Sequence, residues 1–289
     1  MNNIDFSIII PHYNIPESLI ELLETVPDKE NIEIIVVDDK SDRDLSSLED
    51  YTGKTSASYI FLHNDTPEKG AGVCRNIGMK AARGKWLLFA DSDDLFADDM
   101  YEHITRCADR KEDVIFFLPT SKYKDTGKIA SRHEEFCDSL RRYLKEPCEE
   151  NELILRYHMV APWSKMIRRS LIEDNHISFE NTMVANDVFF CRQLGVYADS
   201  VAVEDATIYI ITDREGSLTK MIGKEAYLVR ADVFVRSARF VRQNVDKTTW
   251  KKIDMNGRYI LSMCIHNKVG ATAFFHVCIN MIANGIRLL

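Results

Sequence analysis

The run Trp86-Leu87-Leu88-Phe89-Ala90-Asp91-Ser92-Asp93-Asp94 decides the fold class, because an apolar strand leads directly into three carboxylates. A short apolar run of this kind reads as a buried strand, and in open α/β sheets ligands collect beyond the carboxyl ends of the strands. Carboxylates this close repel one another unless solvent or a hard divalent cation offsets their charge. Mg²⁺ or Mn²⁺ takes few protein carboxylates and completes its shell with substrate phosphates, so the run favours a metal–diphosphate site. The alternative is an acidic helix start with Asp94 or Asp98 as N-cap.

Working outward, β-rich runs at residues 6–10, 33–38, 59–63, 86–90 and 114–118 alternate with helical spacing at 17–26, 72–83 and 98–110. That alternation predicts an α/β fold with a mainly parallel sheet flanked by helices. The other strand ends read Pro11-His12-Tyr13-Asn14 and Asp38-Asp39-Lys40-Ser41. Asp38 can accept hydrogen bonds from a base or ribose, although an Asp pair after a strand also makes an ordinary turn. Gly70 to Gly78 opens a helix with Arg75 in its first turns, and helix starts and Arg both favour phosphate.

Residues 121–150 are polar and give no clear pattern. Beyond them we expect a strand at 163–168, a helix at 184–197 and a strand at 206–211. From Ser217 the chain turns helical, with helices expected at 225–243, 249–267 and 271–288. The division expected is a catalytic domain over 1–219 and a helical extension over 220–289.

Composition narrows the function classes. A net charge of -8 argues against a general nucleic-acid binder. Seven scattered Cys without a CxxC pair read as free thiols of a reducing compartment. The amino terminus has no basic n-region, and no apolar stretch is long enough to span a bilayer, so a cytoplasmic location is expected. The first strand leads into Pro11-His12-Tyr13-Asn14 rather than GxGxxG, which removes a dinucleotide-binding oxidoreductase. GxxxxGK[ST] is also absent, which removes a P-loop NTPase. A sugar nucleotidyltransferase would need a glycine-rich basic loop at the amino terminus, and none is present.

The chain resembles the family-2 glycosyltransferases of GT-A fold. The resemblance rests on Ser7-Ile8-Ile9-Ile10-Pro11-His12-Tyr13-Asn14, Ile35-Val36-Val37-Asp38-Asp39-Lys40-Ser41, Gly72-Val73-Cys74-Arg75-Asn76-Ile77-Gly78 and Asp91 to Asp94. A weaker continuation runs through Trp163 to Arg169 and Asn186 to Phe190. The resemblance implies an inverting transfer from a nucleotide diphosphate sugar, a UDP-sugar above all, to a saccharide or lipid-linked acceptor. It places Pro11, Tyr13, Asp38, Arg75 and Asp91 at the nucleotide and Asp93 on Mn²⁺ or Mg²⁺. Asp187 would be the general base. The family's usual Glu-Asp pair is Asn186-Asp187 here, and a helix-cap role for either residue is the alternative. Trp163 and Lys165 are expected on the acceptor side, with core packing as the alternative for Trp163, and Arg214 in a loop over the donor or in an ordinary exposed loop. A degenerate binder without turnover is the rival that Asn186 raises. The apolar run from Ala271 to Ile282 lacks the Lys-rich polar face of a membrane-surface helix, so it is expected to pack on the catalytic domain or on a second subunit, with docking on a membrane surface as the alternative.

Overall fold

Unbroken β-branched runs make strands that are buried on both faces. β1 (Phe6–His12) and β2 (Ile32–Asp38) are buried at every position, as is β4 (Trp86–Phe89). The computed structural model describes residues 4–213 and 223–289. In it these strands join β3 (Ser58–His63), β5 (Leu95–Phe96), β6 (Val114–Tyr123), β7 (Lys165–Arg168) and β8 (Val201–Asp213) in one sheet of order β3-β2-β1-β4-β7-β6-β8-β5. Only β7 and β5 run against the common direction. The register pairs His12 with Asp38 and Asp38 with His63, so three strands finish level at one edge.

Helices cover both faces. They are α1 (Pro16–Leu23), the short α2 (Ser46–Glu49), α3 (Ala71–Ala81), α4 (Met100–Cys107), α5 (Glu134–Lys145), α6 (Glu149–Tyr157), α7 (Arg169–Asp174) and α8 (Asn186–Tyr197). One core lies under α1 and α4 and holds Ile8, Ile10, Trp86 and Tyr209. The other lies under α3 and α8 and holds Ile9, Phe89, Phe179 and Phe190. At the carboxyl end of α8 the backbone of α6 comes so close that a Cβ on Gly195 would stand 2.2 Å from the Arg156 carbonyl oxygen. Arg156 itself donates to the carbonyls of Gly195 (3.2 Å), Ala198 (2.6 Å) and Asp199 (3.3 Å). A cation thus satisfies carbonyls that a helix end leaves without partners.

The last helices, α9 (Lys224–Asn244), α10 (Lys247–Ile253), α11 (Arg258–His266) and α12 (Ala271–Ala283), form a third core that also takes in Leu153 and Tyr157 of α6. Among the described residues no helix is long and apolar enough to cross a membrane.

Several boundaries differ from the sequence reading. The helix expected over 249–267 is broken into α10 and α11, because Asp254 closes α10 in the left-handed conformation (φ 49°). The helix expected to reach 288 stops at Ala283, ahead of Gly285 at φ 69°. The strand expected from 163 begins at Lys165, after Ser164 at φ 55°. The unreadable stretch 121–150 holds the end of β6 and the whole of α5.

Candidate active site

The carboxyl ends of β1, β2 and β4 supply the floor. Asp38, 1% exposed, accepts hydrogen bonds from His12 Nδ1 (2.9 Å), the Ser41 amide (2.9 Å) and the Ser41 hydroxyl (2.6 Å). His12 Nε2 in turn accepts from the Ile15 amide (3.2 Å), which puts the imidazole proton on Nδ1. Burial pushes the Asp38 carboxyl upward, but the Ser41 and His12 bonds outweigh it and hold the group below the usual carboxylate range. Asp39 accepts from Asn64 Nδ2 and the Gly70 amide, both at 2.7 Å, and so ties β2 to the entry of α3. Pro11 is buried in β1, whereas the Tyr13 ring is 50% exposed with Lys69 Nζ 5.0 Å from its centroid. Asn14 and Lys40, flanking these loops, both take positive φ, as does Ala185 before α8. Residues in left-handed conformation carry strain and gather at functional sites.

Arg75 is the junction of the site. Its guanidinium, 5% exposed, donates from Nη2 to Asp91 Oδ1 at 2.5 Å and from Nη1 to Asn186 Oδ1 at 2.8 Å. It also lies 5.2 Å over the Phe179 ring, which stacks on Phe190 at 3.8 Å. Asn76, one residue on, exchanges two 2.9 Å hydrogen bonds with the Phe179 backbone. A Cβ on Gly72 would stand 2.3 Å from the Glu180 carbonyl oxygen and 3.2 Å from Asn186 Cβ. The first turns of α3 are therefore pressed against the segment that leads into α8, and motifs far apart in sequence meet at one edge of the sheet.

The acidic turn after β4 divides its carboxylates. Asp94, 4% exposed, accepts from the Tyr209 hydroxyl (2.8 Å) and the Thr212 amide (2.7 Å), while Tyr209 also receives the Asp91 amide (2.9 Å). Burial, then the charges of Asp91 and Asp93, lift the Asp94 carboxyl well above the usual range. The N-cap alternative for Asp94 and Asp98 fails: the cap position of α4 is Asp99, which makes no side-chain cap bond. Asp91 keeps a side chain 37% exposed, and Asp93 is half-buried beside it. Among the described residues no three His, Cys, Asp or Glu converge as a cage for a cation. The exposed oxygens instead suit an ion that takes one or two carboxylates and fills its shell with phosphate and water.

Asp187 stands in the first turn of α8, half-buried, and burial raises its carboxyl above the ordinary value while Arg75 opposes the rise. The cap position there is Ala185 and makes no side-chain bond, so neither Asn186 nor Asp187 caps the helix.

The two residues expected on the acceptor side pack inward. Lys165 is 4% exposed, and its ammonium donates to the Met159 carbonyl (2.8 Å) and faces Cys191 Sγ (3.9 Å), inside the protein rather than at a surface. It sits in a strand buried on both faces, which turns its side chain into the core under α8. Burial depresses its pKa. Trp163 stacks on Tyr209 (5.7 Å, 7°) and packs against the core, behind the acidic turn. Arg214 lies outside the described residues, as do Glu215 and Ser217. Sequence reasoning missed Ser41, Asn76, Phe179 and Tyr209. The first two stand within or beside the quoted motifs, while the aromatics carry no local signal.

The chain matches the profile of glycosyl transferase family 2 over residues 7–175, more than half its length. It is 26% identical over 253 residues to EpsH of Bacillus subtilis, named a glycosyltransferase, covering 85% of this chain and 72% of that one. It is 28% identical over 218 residues to the poly(ribitol-phosphate) beta-N-acetylglucosaminyltransferase TarS of Staphylococcus aureus; the match covers 73% of this chain and only 36% of that one. The crystal structure of S. aureus TarS 1-349 with UDP-GlcNAc superposes with a TM-score of 0.65 at 20% identity, covering 97% of this chain and 89% of that one. The mannosyltransferase PcManGT of Pyrobaculum calidifontis, in complex with GDP-Man and Mn²⁺, superposes with a TM-score of 0.64 at 14% identity, covering 98% and 81%. At these identities the superpositions show the fold.

Proposed function

This chain belongs to glycosyltransferase family 2 and has the GT-A fold, and from that premise we propose an inverting transfer of a sugar from a nucleotide diphosphate donor to an acceptor hydroxyl. The observation that carries the proposal is the Arg75 fork. One arm holds Asp91 of the acidic turn and the other holds Asn186 next to Asp187, so the leaving-group side and the proton-accepting side share a guanidinium. We infer a UDP-sugar, on the relationship to TarS, and an acceptor in saccharide or glycolipid assembly. Residues 1–219 are the catalytic unit in this reading.

Tyr13 would offer its exposed ring to the base, while Pro11 and Asp38 shape the pocket floor from below. Asp187 would take the proton from the acceptor hydroxyl as that oxygen attacks the anomeric carbon; a carboxyl raised toward neutral pH is the stronger base, and the configuration inverts. A divalent cation held by Asp93 and Asp91 with the diphosphate oxygens would offset the charge of the departing diphosphate.

The test is Asp187→Asn, which keeps the side chain's size and removes its basicity. Transfer, measured as release of UDP with an acceptor panel, should fall by about 10²–10⁴ while Mn²⁺–UDP affinity by calorimetry stays the same. Transfer near the wild-type rate would remove Asp187 from the mechanism. A wild type inert on every donor and acceptor would instead favour the binder without turnover, with Asn186→Glu as the substitution to restore activity.

A further inference from the structure

α12, Ala271–Ala283, contains no charged residue. Val277 and Met281 are buried in the third core and Cys278 is buried beside them, while Phe275, Ile279 and Ile282 on the other side are 61%, 66% and 60% exposed. Their spacing of four and three residues places them in one row along the helix. Three large apolar side chains in a row, without one charge among them, are more than the scattered exposure of an ordinary surface.

The setting of that row is basic. Residues 223–289 hold eleven Lys and Arg against four Asp and Glu, a net of +7 in a chain whose total is -8. Cations stand at both ends of α12. Lys268, exposed, precedes it, and Arg242 Nη1 donates to the Asn284 carbonyl (2.7 Å) just past its end. The Gly257 amide donates to the Arg287 carbonyl (2.8 Å), which brings exposed Arg258 and Tyr259 beside the chain that leaves α12. The acidic residues nearby are engaged: Asp254 pairs with Arg287, Asp232 with Arg236, and Asp246 caps α10.

We propose that this face docks on an anionic lipid surface, with Phe275, Ile279 and Ile282 entering the headgroup boundary and Lys268, Arg242 and Arg258 meeting lipid phosphates. An apolar helix face with cations at its ends binds anionic membranes through both terms, and no span is needed. A two-fold pairing of two copies through the same face would bring the two sets of cations together, which like-charge repulsion opposes. The extension is firmly joined to the catalytic domain. Arg236 pairs with Glu180, and Arg192 of α8 donates to Ser237 of α9 at 2.5 Å, so docking would hold the cleft near the lipid. The proposal is independent of donor and acceptor, and its test uses neither.

The experiment is co-sedimentation of the full chain with vesicles of phosphatidylglycerol and phosphatidylcholine in equal parts, and with phosphatidylcholine alone. The wild type should bind the first, bind the second far less, and release as salt is added. Phe275→Ser with Ile279→Ser and Ile282→Ser should abolish binding. Arg258→Glu with Lys268→Glu should weaken it by about 25-fold or more, at about fivefold per cation removed. All five positions are exposed, so both variants should melt as the wild type does, and the charge variant keeps the test decisive should the serine variant misfold. Absence of wild-type binding to the anionic vesicles overturns the proposal. So does undiminished binding by either variant, or a wild-type dimer by light scattering that the serine variant turns into monomer.

Discussion

Arg75→Lys is the perturbation that most directly challenges the site as described. The guanidinium reaches two partners on different segments at 2.5 and 2.8 Å, and a single ammonium on a linear stem cannot fork to both. The Asp91 arm is discounted because that side chain is 37% exposed and water can replace the bond. The Asn186 arm joins α3 to α8, and losing one hydrogen bond to a charged group costs about 2 kcal/mol. With an unfolding entropy of about 2.1 cal/mol/K per residue, a chain of 289 residues loses about 3 °C in Tm. Thermal melts give that shift, and calorimetry with Mn²⁺–UDP gives the second readout. If the donor side and α8 are joined through Arg75, donor affinity and transfer rate fall together. A variant that melts within about 1 °C of the wild type and binds UDP equally well would refute the fork as the junction of the site.

The other predictions follow from single contacts. The folded-state pKa of Asp38 is depressed, so its contribution is present above the unfolded value of about 3.9 and disappears as pH falls through the folded one; the urea-midpoint gap between wild type and Asp38→Asn should therefore shrink below about pH 4, and a gap that widens in acid contradicts this. Lys165 is the opposite case: a depressed lysine pKa burdens the fold while the group is charged, and the burden lifts as pH rises through the folded value. Lys165→Met should melt no lower than the wild type at neutral pH and lose ground to it as pH rises toward 10. Gly72→Ala drives a methyl into the Glu180 carbonyl at 2.3 Å and should cost about 1–3 kcal/mol by denaturant titration, with weaker donor binding.

Much of this site was legible because its parts are local in sequence. An apolar strand that ends in carboxylates announces a strand end, and the parallel sheet then brings such ends to one edge. That reasoning brought Asp38, Asp91 and the entry of α3 to one edge, but the Asp38 oxygens expected to meet a base or ribose are taken by His12 and Ser41 inside the fold. It could not show that His12 would engage Asp38, nor that Tyr209, more than a hundred residues from Asp94, would engage the acidic turn. Those pairings depend on strand order, which alternation does not specify. The burial of Lys165 was hidden for a related reason. A lysine at a strand start is normally drawn to solvent, and here a carbonyl inside the fold keeps it in. The break between α10 and α11 falls at an Asp in left-handed conformation, which helical spacing cannot reveal.

The clamp at the far end of α8 gives the helix the character of a lever. Arg156 and Gly195 hold its carboxyl end against α6, and Asp187 rides near the opposite end of a 12-residue helix, about 12 Å from Gly195 along the axis. A tilt of about 5° at the pivot moves the other end by about 1 Å, a displacement that can cost about 100-fold in rate. Damage at Arg156 would thus leave the cleft's composition untouched and misaim it. Random mutagenesis for altered rates should find Arg156 and Gly195 as readily as any residue that a substrate touches.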